Sequence, residues 1–320
     1  MKYNELRDGI KISELSFGCA RLGKSIHEDN SGVAHNIIDL AIDLGINYFD
    51  TASNYSYGDS EKILGSYLKK TDKNIIVSTK GGMELSHLAK YGLFLRPFFK
   101  YIKPLAKSNQ VKSKNTKITD HSIQNLSLSL KRSSKRLGLS PIPIFKLHNP
   151  SPEVLKNPGI PAFFNTIKEK EKVTLTGISI SSITEIESCT YIDEIDIIQF
   201  PINYLEFKPE HYDILLDLTE KNIGLIGRAP FKRGLLTSAN HIKTGSERGF
   251  VDQRITARKA EICREFSIDE IQLALWFLKD LRLLDSILFS SFNPHHLKEN
   301  VNYNEATIPV SFSWKDLVGL

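Results

Sequence analysis

Residues 47–65 read NYFDTASNYSYGDSEKILG, residues 74–82 read NIIVSTKGG and residues 142–150 read IPIFKLHNP. In each, a short run rich in β-branched and aromatic residues ends on a polar or charged side chain, and loop chemistry follows. A βα barrel presents reactive groups at one rim in this way, from the C-terminal ends of its strands. Asp50, Tyr55, Lys80 and His148 fall one after another at these ends. An acid, a phenol, a cation and an imidazole in that succession predict an active site.

Outward from these stretches, strands are predicted at 15–19, 48–51, 74–79, 142–147, 175–180, 195–200, 223–226 and 286–289. Helical spacing separates them. Ile37, Ile38, Ala41 and Ile42 mark a helix over 33–44 that Gly45 stops, and further helices are predicted from residue 60 and over 122–137, 163–171, 210–220, 256–265, 269–281 and 295–301. The pattern predicts eight strands, each followed by helix, with no second core and no Pro/Ser-rich linker. The expected fold is therefore α/β, a single (β/α)8 TIM barrel domain over residues 1–320, with a basic rim insertion at 84–118 after strand three. The G-x-G-x-x-G turn of a dinucleotide-binding open sheet is missing after the first strand, where the chain reads FGCARLG.

Cys19, Cys189 and Cys263 are few, odd in number and far apart, which predicts no disulfide framework and no metal site. No apolar run approaches membrane-spanning length and the first residues lack a signal-peptide core, so a cytoplasmic location is expected. The net charge of +5 is local. From Leu85 to Thr119 the chain carries eight Lys or Arg residues and no Asp or Glu, which leaves the remainder net negative.

Carbonyl reduction by hydride transfer needs a proton donor at the oxygen that becomes an alcohol, and Tyr55 is a suitable one. A free phenol, with pKa about 10, is a slow acid at neutral pH, and a buried ammonium beside it favours phenolate. Lys80 supplies that charge, Asp50 holds it, and neutral His148 can hydrogen-bond the carbonyl oxygen. Each residue alone has a plain structural reading, as a rim ion pair, a loop aromatic or a turn residue. Their joint order is what points to chemistry.

These motifs carry a resemblance. FDTA with a Tyr five residues after its Asp, then YGDSEKILG, VSTKGG, the strand ending in His148, GISIS, IIQFPINYLE, GRAPFKRGLL and NPHHLKENV resemble the aldo-keto reductase family in order and over almost the whole chain. The resemblance implies a βα barrel, the tetrad Asp50, Tyr55, Lys80 and His148, and NADPH-dependent reduction of a small-molecule aldehyde or ketone. Tyr57 directly precedes Gly58 and competes with Tyr55 for the acid's place, but spacing from Asp50 favours Tyr55. By the same resemblance, Ser179 and Gln199 would bind the nicotinamide carboxamide and Arg228 would lie against its ring. Ser290, Ser291 and His296 would meet the phosphate end, and Glu299 and Asn300 the adenine. Ile180 stands where the family usually has Asn, which removes one amide contact and leaves cofactor orientation to Ser179 and Gln199; Ser290 and His296 stand where Lys or Arg is common, so use of NADH is also expected.

The basic segment leaves the chain beside Lys80, and three readings of residues 90–117 stand open: a lid selecting an anionic, sugar-like or phosphorylated substrate, contact with an anionic membrane surface, or a solvated loop. No nucleic-acid-binding module accompanies the charge. Phe94, Phe98 and Trp314 are candidate pocket-lining residues. A second function, a cofactor-sensing regulatory subunit with little turnover, remains beside the reductase reading. Oligomeric state has no signal in the sequence.

Overall fold

The computed structural model describes residues 1–23, 31–85, 117–236 and 253–319. Eight parallel strands close into a barrel: Leu15–Gly18, Tyr48–Asp50, Ile76–Gly81, Ile142–His148, Val173–Ser179, Ile197–Pro201, Gly224–Arg228 and Ser286–Phe289. Below they are called strands one to eight. They pair in chain order, and strand eight returns to strand one through the register Leu288↔Ser16.

The two-residue period of a strand divides each one between two environments. In strand four, Phe145 and Leu147 join the large apolar core between barrel and helices. Ile144 faces inward, clustering with Tyr48, Leu175, Ile197, Ile226 and Leu288. Burial of a Phe or Leu stabilises by about 1.5–3 kcal/mol. The outer layer therefore carries most of the apolar stabilisation and leaves inward positions near the C-terminal rim available for polar groups. Lys146 and His148 continue the inward row that Ile144 begins.

An antiparallel hairpin of Tyr3–Glu5 with Lys11–Ser13 precedes strand one. Its Leu6 and Ile12 join the interior cluster and cover the N-terminal mouth. Segments of three residues are too short to show a period, so the sequence gives no sign of this hairpin. Strand five is followed by a 3-10 run, Ile183–Tyr191, and not by an α-helix. Its buried residues Ile183, Ile186 and Cys189 recur every three positions, which matches three residues per turn.

After strand three, Met83–Leu85 pairs with Lys117–Thr119. This pair forms the base of the predicted insertion at 84–118, and the remainder of that insertion, with Phe94 and Phe98, lies outside the described residues. Among the described residues no helix is long and apolar enough to cross a membrane.

Candidate active site

The tetrad expected from sequence comes together at one rim. Strand two ends on Asp50, strand three carries Lys80, and strand four ends on His148. Tyr55 opens a 3-10 turn, Tyr55–Gly58, from which the helix Asp59–Leu68 departs. Gly58 sits at φ +87°, a left-handed conformation that L side chains rarely adopt, and so lets the chain turn into that helix. The helix is tied back by buried Glu61, which accepts from Thr79 Oγ1 at 2.6 Å and from Arg136 Nε at 2.6 Å. Thr79 adjoins Lys80, so this tie fixes the loop carrying the phenol relative to the strand carrying the ammonium.

Lys80 Nζ donates to Asp50 Oδ2 at 2.5 Å, to the Thr51 carbonyl at 3.0 Å and to the Tyr55 hydroxyl at 3.3 Å. It also lies 4.8 Å from the Tyr55 ring centroid. The Tyr55 and His148 rings meet edge to face, with centroids 5.9 Å apart. The His148 backbone is fixed through its carbonyl, 3.2 Å from His121 Nε2, and the following amide of Asn149 donates to Ser179 O at 2.7 Å. The side chain of Tyr57 is outside what the structure describes.

Sequence reasoning missed one member of this cluster. Lys146 Nζ donates to Asp50 Oδ1 at 2.8 Å and to the Tyr48 hydroxyl at 3.2 Å, while Ser78 Oγ donates to Asp50 Oδ1 at 2.8 Å. Lys80 and Lys146 are paired in register on adjacent strands, and Asp50 is paired with Ser78. That register is why both ammonium groups reach one carboxylate. Asp50, Lys80 and Lys146 are 2%, 1% and 0% exposed, so no solvent screens them. Burial alone would raise Asp50, yet Lys146 and then Lys80 hold it well below the usual carboxylate range. Burial alone would lower Lys80, and the Asp50 carboxylate, followed by Tyr55, overturns this and leaves it raised. For Lys146 burial wins, and it falls to about 7 although Asp50 opposes the shift. The legible signal was a Lys on the inward row of an otherwise apolar strand, IPIFKLH.

The residues expected at the nicotinamide follow around the same rim. Ser179 and Gln199 are paired in register on strands five and six, and Arg228 ends strand seven. Arg228 Nη2 donates to the carbonyl of Ile180 at 2.8 Å, so Ile180 positions the guanidinium through its backbone where its side chain offers no amide. Both amide atoms of Gln199 are buried without a hydrogen-bond partner among the described residues. An unpaired buried amide is costly, and a carboxamide ligand can satisfy its donor and acceptor together. These residues therefore fit a nicotinamide group.

Beyond strand eight, Ser290 Oγ donates to Gly18 O at 2.7 Å and Ser291 Oγ to Asn293 O at 3.3 Å. The helix Pro294–Glu305 starts there, and Asn293 Oδ1 already accepts from the His295 amide at 2.9 Å. His295 Nδ1 lies 3.0 Å from Glu299 Oε2; His296 is exposed and Asn300 is buried. Trp314, expected to line the pocket, is instead buried in an aromatic group, stacked on Tyr212 at 5.1 Å and edge-on to Phe207 at 5.6 Å.

Comparison with known proteins bears on the family and the fold. A model described as the aldo/keto reductase family matches residues 14–312. The chain is 26% identical over 325 residues to a D-threo-aldose 1-dehydrogenase of a Pseudomonas species, covering 97% of this chain and 94% of the relative. It is 28% identical over 279 residues to an NADH-specific methylglyoxal reductase of Escherichia coli, covering 80% and 78% respectively. Among solved structures, an aldo-keto reductase from Bacillus halodurans in its holo form superposes with a TM-score of 0.74 at 23% identity, covering 99% of this chain and 95% of that one.

Proposed function

The chain belongs to the aldo/keto reductase family and is an NAD(P)H-dependent oxidoreductase of small carbonyl compounds, and from that premise we propose that Tyr55 is the acid that protonates the carbonyl oxygen. The observation that carries this reading is the Tyr55 hydroxyl 3.3 Å from a buried Lys80 that is itself anchored on Asp50. The nicotinamide cofactor supplies the hydride when bound. Lys80 favours negative charge on the phenol oxygen as its proton leaves, and buried Asp50 keeps that ammonium in place. His148, packed against the Tyr55 ring, orients the carbonyl oxygen by a hydrogen bond. Ser179, Gln199 and Arg228 hold the nicotinamide end, and Ser290, Ser291, His296, Glu299 and Asn300 receive the adenosine phosphate and adenine.

The substrate we propose is a sugar-like or phosphorylated aldehyde or ketone. Two observations support that class: the relative that acts on an aldose, and the basic segment whose paired base begins directly after strand three. Separate Tyr55→Phe and Tyr57→Phe variants test the acid. With a panel of aldoses and sugar phosphates, Tyr55→Phe should lower kcat by roughly 10²- to 10⁴-fold, and Tyr57→Phe should leave it largely intact. The opposite pattern transfers the role to Tyr57.

A further inference from the structure

We propose that Lys146 is a positioning residue of the proton-delivery site, which shares Asp50 with Lys80 and so sets the positive charge felt at the Tyr55 hydroxyl; this rests on Tyr55 being the acid. Two ammonium groups, each no more than 1% exposed, contact one carboxylate, on Oδ2 and Oδ1 respectively. Among the described residues one unit of positive charge is therefore uncompensated in a space that water does not reach, and such an excess is strongly disfavoured. It is relieved when one lysine gives up its proton.

The surroundings identify which one. Lys80 donates to the Thr51 carbonyl and the Tyr55 hydroxyl as well as to Asp50. Lys146 has Asp50 and the Tyr48 hydroxyl. Among the described residues, the titratable and charged groups around the two lysines are Tyr48 and Asp50 on strand two, Tyr55 after it, Cys19 after strand one and Arg228 on strand seven. Asp50 is the only carboxylate among them, and Lys80 and Arg228 both disfavour a charge on Lys146. Lys146 accordingly changes charge near neutrality, while Lys80 stays an ammonium.

The consequence reaches the phenol through Asp50. When Lys146 is charged, the carboxylate is divided between two cations and less of it offsets Lys80. The Tyr55 oxygen then sits in a more positive field, which favours proton release to the substrate. When Lys146 is neutral, Asp50 serves Lys80 alone and that field weakens. The inward lysine thus couples proton delivery to pH in the neutral range.

The test is the pH dependence of kcat/KM for the wild type, Lys146→Met and Lys146→Gln, with Tyr55→Phe alongside. The wild type should lose roughly three- to tenfold as pH rises through about 7, and both Lys146 variants should lack that transition. A structural role would scale the curve without changing its shape. Lysine side-chain NMR on the wild type provides a readout independent of variant folding, with one lysine titrating near neutral pH. Variant profiles parallel to the wild type, or wild-type lysines that all titrate above about pH 9, overturn the proposal. A fully active Tyr55→Phe overturns the reading on which it rests, and an inactive Tyr55→Phe with unshifted Lys146 profiles overturns this inference alone.

Discussion

Asp50→Asn is the most informative single perturbation, because it removes the one negative charge that two buried lysines share. The asparagine keeps the side chain's size, but its amide nitrogen is a donor facing donors. Removing one partner of a buried ion pair costs about 3–5 kcal/mol. Here two ammonium groups, 1% and 0% exposed, lose their counter-charge together, so the loss at pH 7 should reach at least about 3 kcal/mol. The sign with pH follows from proton counting. Both lysines in the variant would be pushed below their ordinary value when folded, so between the two values the unfolded chain binds more protons and stability rises with pH. Each lysine neutral in the folded state contributes about 1.4 kcal/mol per pH unit across that window. The wild type should show the same slope more weakly from pH 7 to about 10, through Lys146, which is lowered to about 7. Lys80, raised when folded, loses its contribution only above its ordinary range and does not oppose this. Urea denaturation at pH 6, 7.5 and 9 measures all of it. The double variant Asp50→Asn/Lys146→Met should recover about 1–2 kcal/mol over Asp50→Asn, because it removes one of the stranded cations. A midpoint for Asp50→Asn equal to wild type with no added pH slope, or strictly additive losses in the double variant, refutes the shared-carboxylate argument.

Two further predictions concern the cofactor. Gln199→Leu removes an amide with no partner among the described residues, so the chain without cofactor should be as stable as wild type or more so, while cofactor binding weakens roughly five- to hundredfold; urea denaturation and fluorescence titration check the two, and unchanged affinity refutes the carboxamide assignment. Because Ser290 is bonded to Gly18 O, His296 is exposed and neither is a Lys or Arg, NADH should be used within about tenfold of NADPH, a difference of about 1.4 kcal/mol. A preference for NADPH above about a thousandfold in kcat/KM refutes that.

The parts of the site legible in sequence are those where local pattern and chemistry coincide. Asp50, Lys80 and His148 each end an apolar run, so strand periodicity places them at a rim without knowledge of strand pairing. Lys146 breaks the inward row of its own strand and was visible in the same way, but reading it as functional needs its partner. Asp50 lies 96 residues away in the chain, and no local pattern spans that separation. Trp314 shows the converse. An aromatic near the end of the chain is compatible with a pocket wall, and only its stacking on Tyr212 assigns it to packing.

The sequence by itself determined the barrel and put Asp50, Tyr55, Lys80 and His148 at strand ends, because binary pattern and strand-end chemistry are properties of neighbouring residues, and its motifs carried the resemblance to the family. Tertiary structure decided what those residues do to one another. It set the register that places Lys80 beside Lys146 and both on Asp50, the packing of Leu6 and Ile12 across the N-terminal mouth, and the 3-10 run after strand five. Charge balance among buried groups depends on distances between strands, and it exists only once the barrel has closed.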